Sequence, residues 1–172
     1  MSYTMFQRDG KWRNGRAPNN SLGKGQIHRF DNAMFKAGAT YKINGRNFLS
    51  AHVQMGTRAP LVESVYISPR VKDTSVDNPT NERIFSGDIS YAFSYRKFRG
   101  AITGFYTSMS DVIERTAFYD DRYSSFMNYV LAGVHKVNKG VEIGLAYKIT
   151  PSVTATFAGT YSRYQYKNNP QG

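Results

Sequence analysis

Residues 141–166 read VEIGLAYKITPSVTATFAGTYSRYQY, and the fold turns on this stretch. Ile143, Leu145, Tyr147 and Ile149 alternate with Glu142, Gly144, Ala146 and Lys148. After Thr150-Pro151-Ser152, Val153, Ala155, Phe157, Gly159 and Tyr161 alternate with Thr154, Thr156, Ala158 and Thr160. Successive side chains on a strand point to opposite faces, so each run has an apolar, aromatic face and a face of small, hydroxyl and charged residues. A half-buried sheet in a soluble protein has this pattern. So does a transmembrane barrel, whose strands present apolar residues to lipid and polar ones to the lumen.

Working outward, Phe35, Ala37, Ala39, Tyr41 and Ile43 share one parity in a strand-like run from Ile27 to Ile43. Asn44-Gly45 then predicts a hairpin, because both residues tolerate positive φ. The return strand, residues 46–58, puts Leu49, Ala51, Val53 and Met55 on one face. Ile89, Tyr91, Phe93 and Tyr95 repeat the alternation, and a tight turn at Arg96-Lys97 leads back through Phe98 to about Glu114. Residues 126–149 predict one very long strand with a glycine bulge near Asn138-Lys139-Gly140, although the apolar spacing of Phe126 to Val137 also fits a helix. A weaker strand covers residues 1–8. Segments 9–25, 59–80 and 115–125, rich in Gly, Pro, Asn and charge, read as long loops. Long and short connections therefore alternate. Transmembrane barrels sort their loops this way, and soluble sandwiches have no reason to. The side chains expected to share the lipid face are Tyr41, Ile43, Leu49, Val53, Ile89, Tyr91, Phe93, Ile143, Leu145, Tyr147, Val153 and Phe157.

Composition agrees. Tyr (13) and Phe (11) abound while charged residues make up 20%, and a mean hydropathy of -0.53 is no obstacle, since barrel strands hide their apolar residues in alternation. No run approaches the roughly 18 apolar residues of a spanning helix. The absence of Cys excludes disulfide staples and thiolate metal sites. The net charge of +11 comes from Lys and Arg spread along the chain, which suits a solvated face or anionic lipid headgroups better than nucleic acid. Ser2 to Arg8 lack the features of a secretory signal, so an exported protein is expected to begin further upstream.

Several segments resemble, in order and spacing, the C-terminal barrel half of TonB-dependent outer-membrane receptors. They are Asn78-Pro79-Thr80-Asn81-Glu82, the strand ending in Tyr91, Phe105-Tyr106-Thr107-Ser108-Met109-Ser110-Asp111-Val112-Ile113, Tyr129 and Lys139-Gly140-Val141-Glu142. Gly38-Ala39-Thr40-Tyr41-Lys42-Ile43 and Thr57-Arg58-Ala59-Pro60 are similar to the form common among Bacteroidetes-type receptors. The resemblance implies an all-β, antiparallel up-and-down meander that is part of a transmembrane barrel of about 22 strands, in the outer membrane of a Gram-negative bacterium. It implies uptake of a scarce nutrient (an iron chelate, vitamin or glycan) energised by the TonB complex, which would act through an N-terminal part not contained in this chain. The 172 residues have room for about seven strands and are expected to form one partial barrel domain, with the plug and remaining strands elsewhere. Outer-membrane lipid and lipopolysaccharide are the implied surroundings.

No catalytic constellation stands out, and neither enzyme activity nor a cofactor is expected. His28, His52 and His135 fall on different strands without carboxylates at ligand spacing, Gly23-Lys24-Gly25 lacks the rest of a phosphate loop, and no Gly-x-Ser-x-Gly occurs. By parity Asp88, Glu142 and Lys148 are expected on the lumenal face, Glu142 pairing with basic residues on a neighbouring strand or plug. Arg70, Lys72, Asp120 and Asp121 are loop candidates for touching ligand. Two other readings remain at this point. One is a small complete pore or adhesin barrel, which would need an even strand count. The other is a basic soluble β protein binding nucleic acid on aromatic platforms.

Overall fold

The computed structural model describes residues 1–122 and 124–168. It contains eight strands: β1 (Ser2–Gly10), β2 (Gly23–Asn32), β3 (Met34–Asn44), β4 (Asn47–Arg58), β5 (Glu82–Ser94), β6 (Phe98–Asp120), β7 (Ser125–Lys148) and β8 (Thr154–Tyr166). Strands β3 to β8 form a six-stranded antiparallel meander in sequence order, and β1 and β2 form a separate hairpin. One helical turn, α1 (Val62–Val65), lies in the β4–β5 connection. The count is eight where about seven strands were expected, yet no closed eight-stranded barrel results, because β3 and β8 pair with one neighbour each.

The register carries the period-two reading across the whole meander. One row runs Tyr41–Leu49–Tyr91–Ile102–Ile143–Gly159, and residues directly opposite share a face. Val53, Ile89, Phe93, Leu145, Tyr147 and Phe157 fall on that face by the same pairings. Ile43 sits at a register shift and Val153 in the turn before β8. These side chains are not a core: Phe35, Ile89 and Phe157 are 62%, 61% and 60% exposed.

The apolar band on this face has a definite height and slope. On β7 it runs from Ile149 to Val141, and on β6 from Phe98 to Tyr106. Eight residue steps at about 3.3 Å span roughly 27 Å, which suits a lipid-facing band about 25 Å tall. Its far edge is Phe35 on β3, Met55 on β4, Phe85 on β5, Tyr106 on β6, Val141 on β7 and Tyr161 on β8. The row through Phe35, Met55 and Phe85 reaches β8 at Gln165, four residues beyond Tyr161. A drop of four residues over five strand spacings tilts the strands by roughly 30° to the band, near the 35–45° or so of membrane barrels.

Several boundaries differ from the sequence reading. The run from Ile27 to Ile43 is two strands in different sheets. They part at Ala33, whose N–H donates to Thr57 Oγ1 (3.2 Å) and whose carbonyl accepts from Thr57 N (2.8 Å). The hairpin expected at Asn44-Gly45 turns at Gly45 and Arg46 without positive φ. Asn44 Oδ1 accepts from Arg46 N at 2.9 Å instead, an Asx-type closure. The loop assigned to 9–25 is only the part between Gly10 and Gly23. The loop assigned to 115–125 is mostly strand: β6 and β7 stay paired to Asp120–Ser125, where Thr116, Phe118, Tyr119, Phe126 and Tyr129 supply β-favouring side chains. The helical alternative for 126–137 is thereby excluded. The irregularity lies not at 138–140, where pairing is regular, but in two compensating bulges, with the extra residue on β6 between Met109 and Val112 and on β7 between Leu131 and Val134. There Asp111 (φ 58) and, opposite, Gly133 (φ 71) take left-handed conformations. Strict alternation of loop length thus becomes an alternation of projection. At one end the chain turns tightly at 45–46, 95–97 and 149–153; at the other, long hairpins and the 59–81 segment extend past the band.

Candidate functional site

The face opposite the apolar band is a set of polar rows. One crosses all six strands as Gly38–His52–Asp88–Phe105–Gly140–Ser162. His52 Nδ1 donates to Asp88 Oδ2 at 2.9 Å. The His52 ring lies where a Cβ on Gly38 would stand, and the Phe105 ring covers Gly140, so both glycines are needed for close approach. The next row is Thr40–Ser50–Ser90–Thr103–Glu142–Thr160. In it Thr40 Oγ1 and Ser50 Oγ are 3.0 Å apart, and Thr103 donates to Ser90 Oγ at 2.9 Å. On the other side of the first row, Ser86 and Thr107 hydroxyls meet at 2.9 Å. Hydroxyl pairs across strands are what a wet sheet face uses where lipid contact is not required.

Asp88, Glu142 and Lys148 all lie on this polar face, as parity indicated, but the structure does not bring them together. Asp88 is paired with His52. Glu142 is flanked by Thr103 and Thr160 and makes no ion pair among the described residues. The expected basic partner on a neighbouring strand is therefore not there, because the residues that register places beside it are threonines. Lys148 sits at the tight-turn end, opposite Thr154. At the far end the face carries a cluster that sequence reading missed: Lys136 is ion-paired with Glu114, and the Tyr166 hydroxyl donates to Glu114 Oε2 at 3.1 Å. The β6 bulge between Met109 and Val112 brings Glu114 there, and no local pattern announces it.

Beyond the band, the β1–β2 hairpin and the 59–81 segment pack into a small module. Phe30, Val65 and Tyr66 form its core, with Phe6 and Ala59 against them. Tyr66 OH donates to Gln26 O at 3.0 Å, and burial raises its phenol above the ordinary value. Arg8 Nε donates to Pro69 O at 2.7 Å, and Asp73 Oδ2 accepts from Gln26 N at 3.2 Å. Asn128 Nδ2 donates to Ile67 O at 2.8 Å, tying the module to β7. Of the loop candidates, Arg70 is exposed on this module and Lys72 half-buried. Asp120 and Asp121 sit apart at the β6–β7 tip, where Asp120 Oδ1 accepts from Arg122 N at 2.9 Å and the carboxylate is occupied locally. Among the described residues no three His, Asp or Glu side chains gather as metal ligands.

Replacing His52 by Ala tests whether the first polar row is a structural ladder. With side-chain exposures of 56% and 35% for His52 and Asp88, the pair is screened. The expected loss is about 0.2–1 kcal/mol, measured by denaturant unfolding of the intact membrane-inserted protein. A loss several times larger would make Asp88 an acid dependent on its partner.

No protein-family model and no curated protein matches the chain. Among solved structures, it superposes on the copper transporter OprC with a TM-score of 0.61 at 14% identity, covering 85% of this chain and 23% of that one. It superposes on the FrpB iron transporter from Neisseria meningitidis (F3-3 variant) with a TM-score of 0.59 at 17% identity, covering 95% of this chain and 22% of that one. The chain thus spans under a quarter of each of these two proteins. Open meander, tilted apolar band and polar opposite face together give the chain the fold of an arc of the β-barrels of these two transporters.

Proposed function

We propose that this chain is one arc of an outer-membrane receptor that takes up a scarce nutrient, an iron chelate, vitamin or glycan, using energy delivered by the TonB complex. The apolar band carries the reading: exposed Tyr, Phe, Ile, Leu and Val fill one face to the height of a bilayer's hydrocarbon layer. A soluble protein would have to cover such a surface. In this reading the band faces lipid and the polar rows with Asp88, Glu142 and Lys148 face the lumen. The unpaired Glu142 is then the natural contact for a basic residue of a plug supplied by the rest of the protein, as are the strands that pair with the free edges of β3 and β8. The hairpin end, with Arg70, Lys72 and the β6–β7 tip, faces the cell exterior and contributes to the ligand cup. The same arrangement disfavours nucleic acid, because most of the meander's aromatic rings lie on the lipid-facing side, and those on the polar face, such as Phe105 and Tyr166, do not line a basic groove.

The test is uptake. Deleting the gene that encodes this chain in its own bacterium should slow growth when one such nutrient is limiting, and loss of TonB should produce the same phenotype without an additive effect. Equal uptake in all strains across iron chelates, vitamins and glycans would overturn the proposal.

A further inference from the structure

The far edge of the apolar band is not uniform. On β7 and β8 the first outward-facing positions beyond it are Lys139 and Arg163, which are direct cross-strand partners. Their Cβ atoms are therefore about 4.5–5.5 Å apart, and like charges so placed repel unless an anion sits between them. Neither takes part in an ion pair among the described residues. Arg163 is braced from the side: with the Gln165 amide turned so that its oxygen accepts, Arg163 Nη2 and Nε donate to it at 3.0 and 3.1 Å. Immediately inside the band, next to this pair, lies a groove of about 820 Å³, within the roughly 300–1,000 Å³ of small-molecule clefts. Its floor is Ala51, Gly87 and Gly104, and Tyr106, Val141 and Tyr161 stand beside it. The groove exists because two of those floor positions are glycines and the third carries only a methyl; a Cβ on Gly104 would meet nothing within 4 Å.

Two cations beside an apolar slot match a lipid whose headgroup is a doubly charged phosphate. We propose that Lys139 and Arg163 clamp a phosphate of lipopolysaccharide and that one of its acyl chains lies along the Gly87–Gly104 groove. Two adjacent cations complement a phosphate monoester, which carries up to two negative charges, better than the single charge of a phospholipid diester. The pair also sits at the hairpin end of the band, which is the outer leaflet if the proposed function is right. The inference rests on that reading, since it needs the band to face lipid.

The experiment uses the full-length protein that carries this chain, reconstituted in nanodiscs. Binding of lipid A bearing monoester phosphates is measured by native mass spectrometry, with phosphatidylglycerol as the competing anionic lipid. Lys139→Ala with Arg163→Ala should weaken lipid A binding roughly 30-fold, two charges at the membrane surface being removed. The exchange Lys139→Arg with Arg163→Lys should retain binding, which separates charge loss from misfolding. Gly104→Phe, which fills the groove and leaves the charges in place, should also weaken it. Unchanged lipid A affinity in the double-alanine and Gly104→Phe proteins would overturn the site, and equal preference for phosphatidylglycerol would overturn the assignment to lipopolysaccharide. Nitroxide labels at Ile89 and Leu145 keep the two failures apart. If they report lipid while lipid A binding is unaffected, only this site is wrong. If they report water, the membrane reading beneath it is wrong.

Discussion

Placing Arg at Leu145 is expected to destabilise the intact membrane protein by about 2–4 kcal/mol. On β7 the band runs Ile149, Tyr147, Leu145, Ile143, Val141, so Leu145 is its middle position. It lies opposite Gly100 on β6 and Phe157 on β8, with no acid beside it to receive a guanidinium. A cation there has to stay in hydrocarbon or drag water and headgroups inward, and the midplane is where that costs most. The same change at Val141, at the edge of the band, should cost about 0–1 kcal/mol, because the side chain can snorkel to the interface. Thr156→Arg should be tolerated, since Thr156 is on the polar face opposite Ala146. Reversible folding into vesicles, followed in denaturant, measures all three. A large loss at Thr156 with none at Leu145 would mean that the two faces are exchanged, as a one-residue error in register would do.

The second large effect concerns the 172-residue chain on its own. Under the proposed function, the 172 residues expressed alone are expected to need detergent or denaturant to remain in solution, and to bind no nutrient tightly. Its largest hydrophobic side chains lie on an open face instead of in a core, Tyr161 being 76% exposed. Contiguous apolar surface of this kind drives association in water. A bilayer is no refuge for the piece either. β3 and β8 each present a row of unpaired N–H and C=O groups, and each such group costs several kcal/mol in hydrocarbon. Under the same proposal the ligand cup would in addition be incomplete, since one arc supplies only some of its loops. Sedimentation with and without detergent checks this. A monodisperse, cooperatively unfolding sample in plain buffer would refute the membrane reading and bring back the soluble β protein.

The faces of the meander were legible in the amino-acid order, as were its antiparallel, consecutive course and the positions of its tight turns. Alternation is a local property: once Ile143, Leu145 and Tyr147 share a parity, strand geometry puts them on one side whatever lies next to them. That is why Asp88, Glu142 and Lys148 could be assigned to a common face before any partner strand was known. Who sits beside whom on that face could not be read, because cross-strand neighbours depend on register. Glu142 therefore lies between two threonines, and Lys139 beside Arg163. Tertiary structure also decided where strands end. Residues 115–120 look like loop in isolation, but as a strand they satisfy their backbone groups against 125–130. Ile27 to Ile43 looks continuous, yet His28 and Phe30 turn inward to the module core while Phe35 stays on the open face. That core joins Phe6 and Phe30 to Val65 and Tyr66, residues too far apart in sequence for any local period to connect, so only the folded chain brings them into contact.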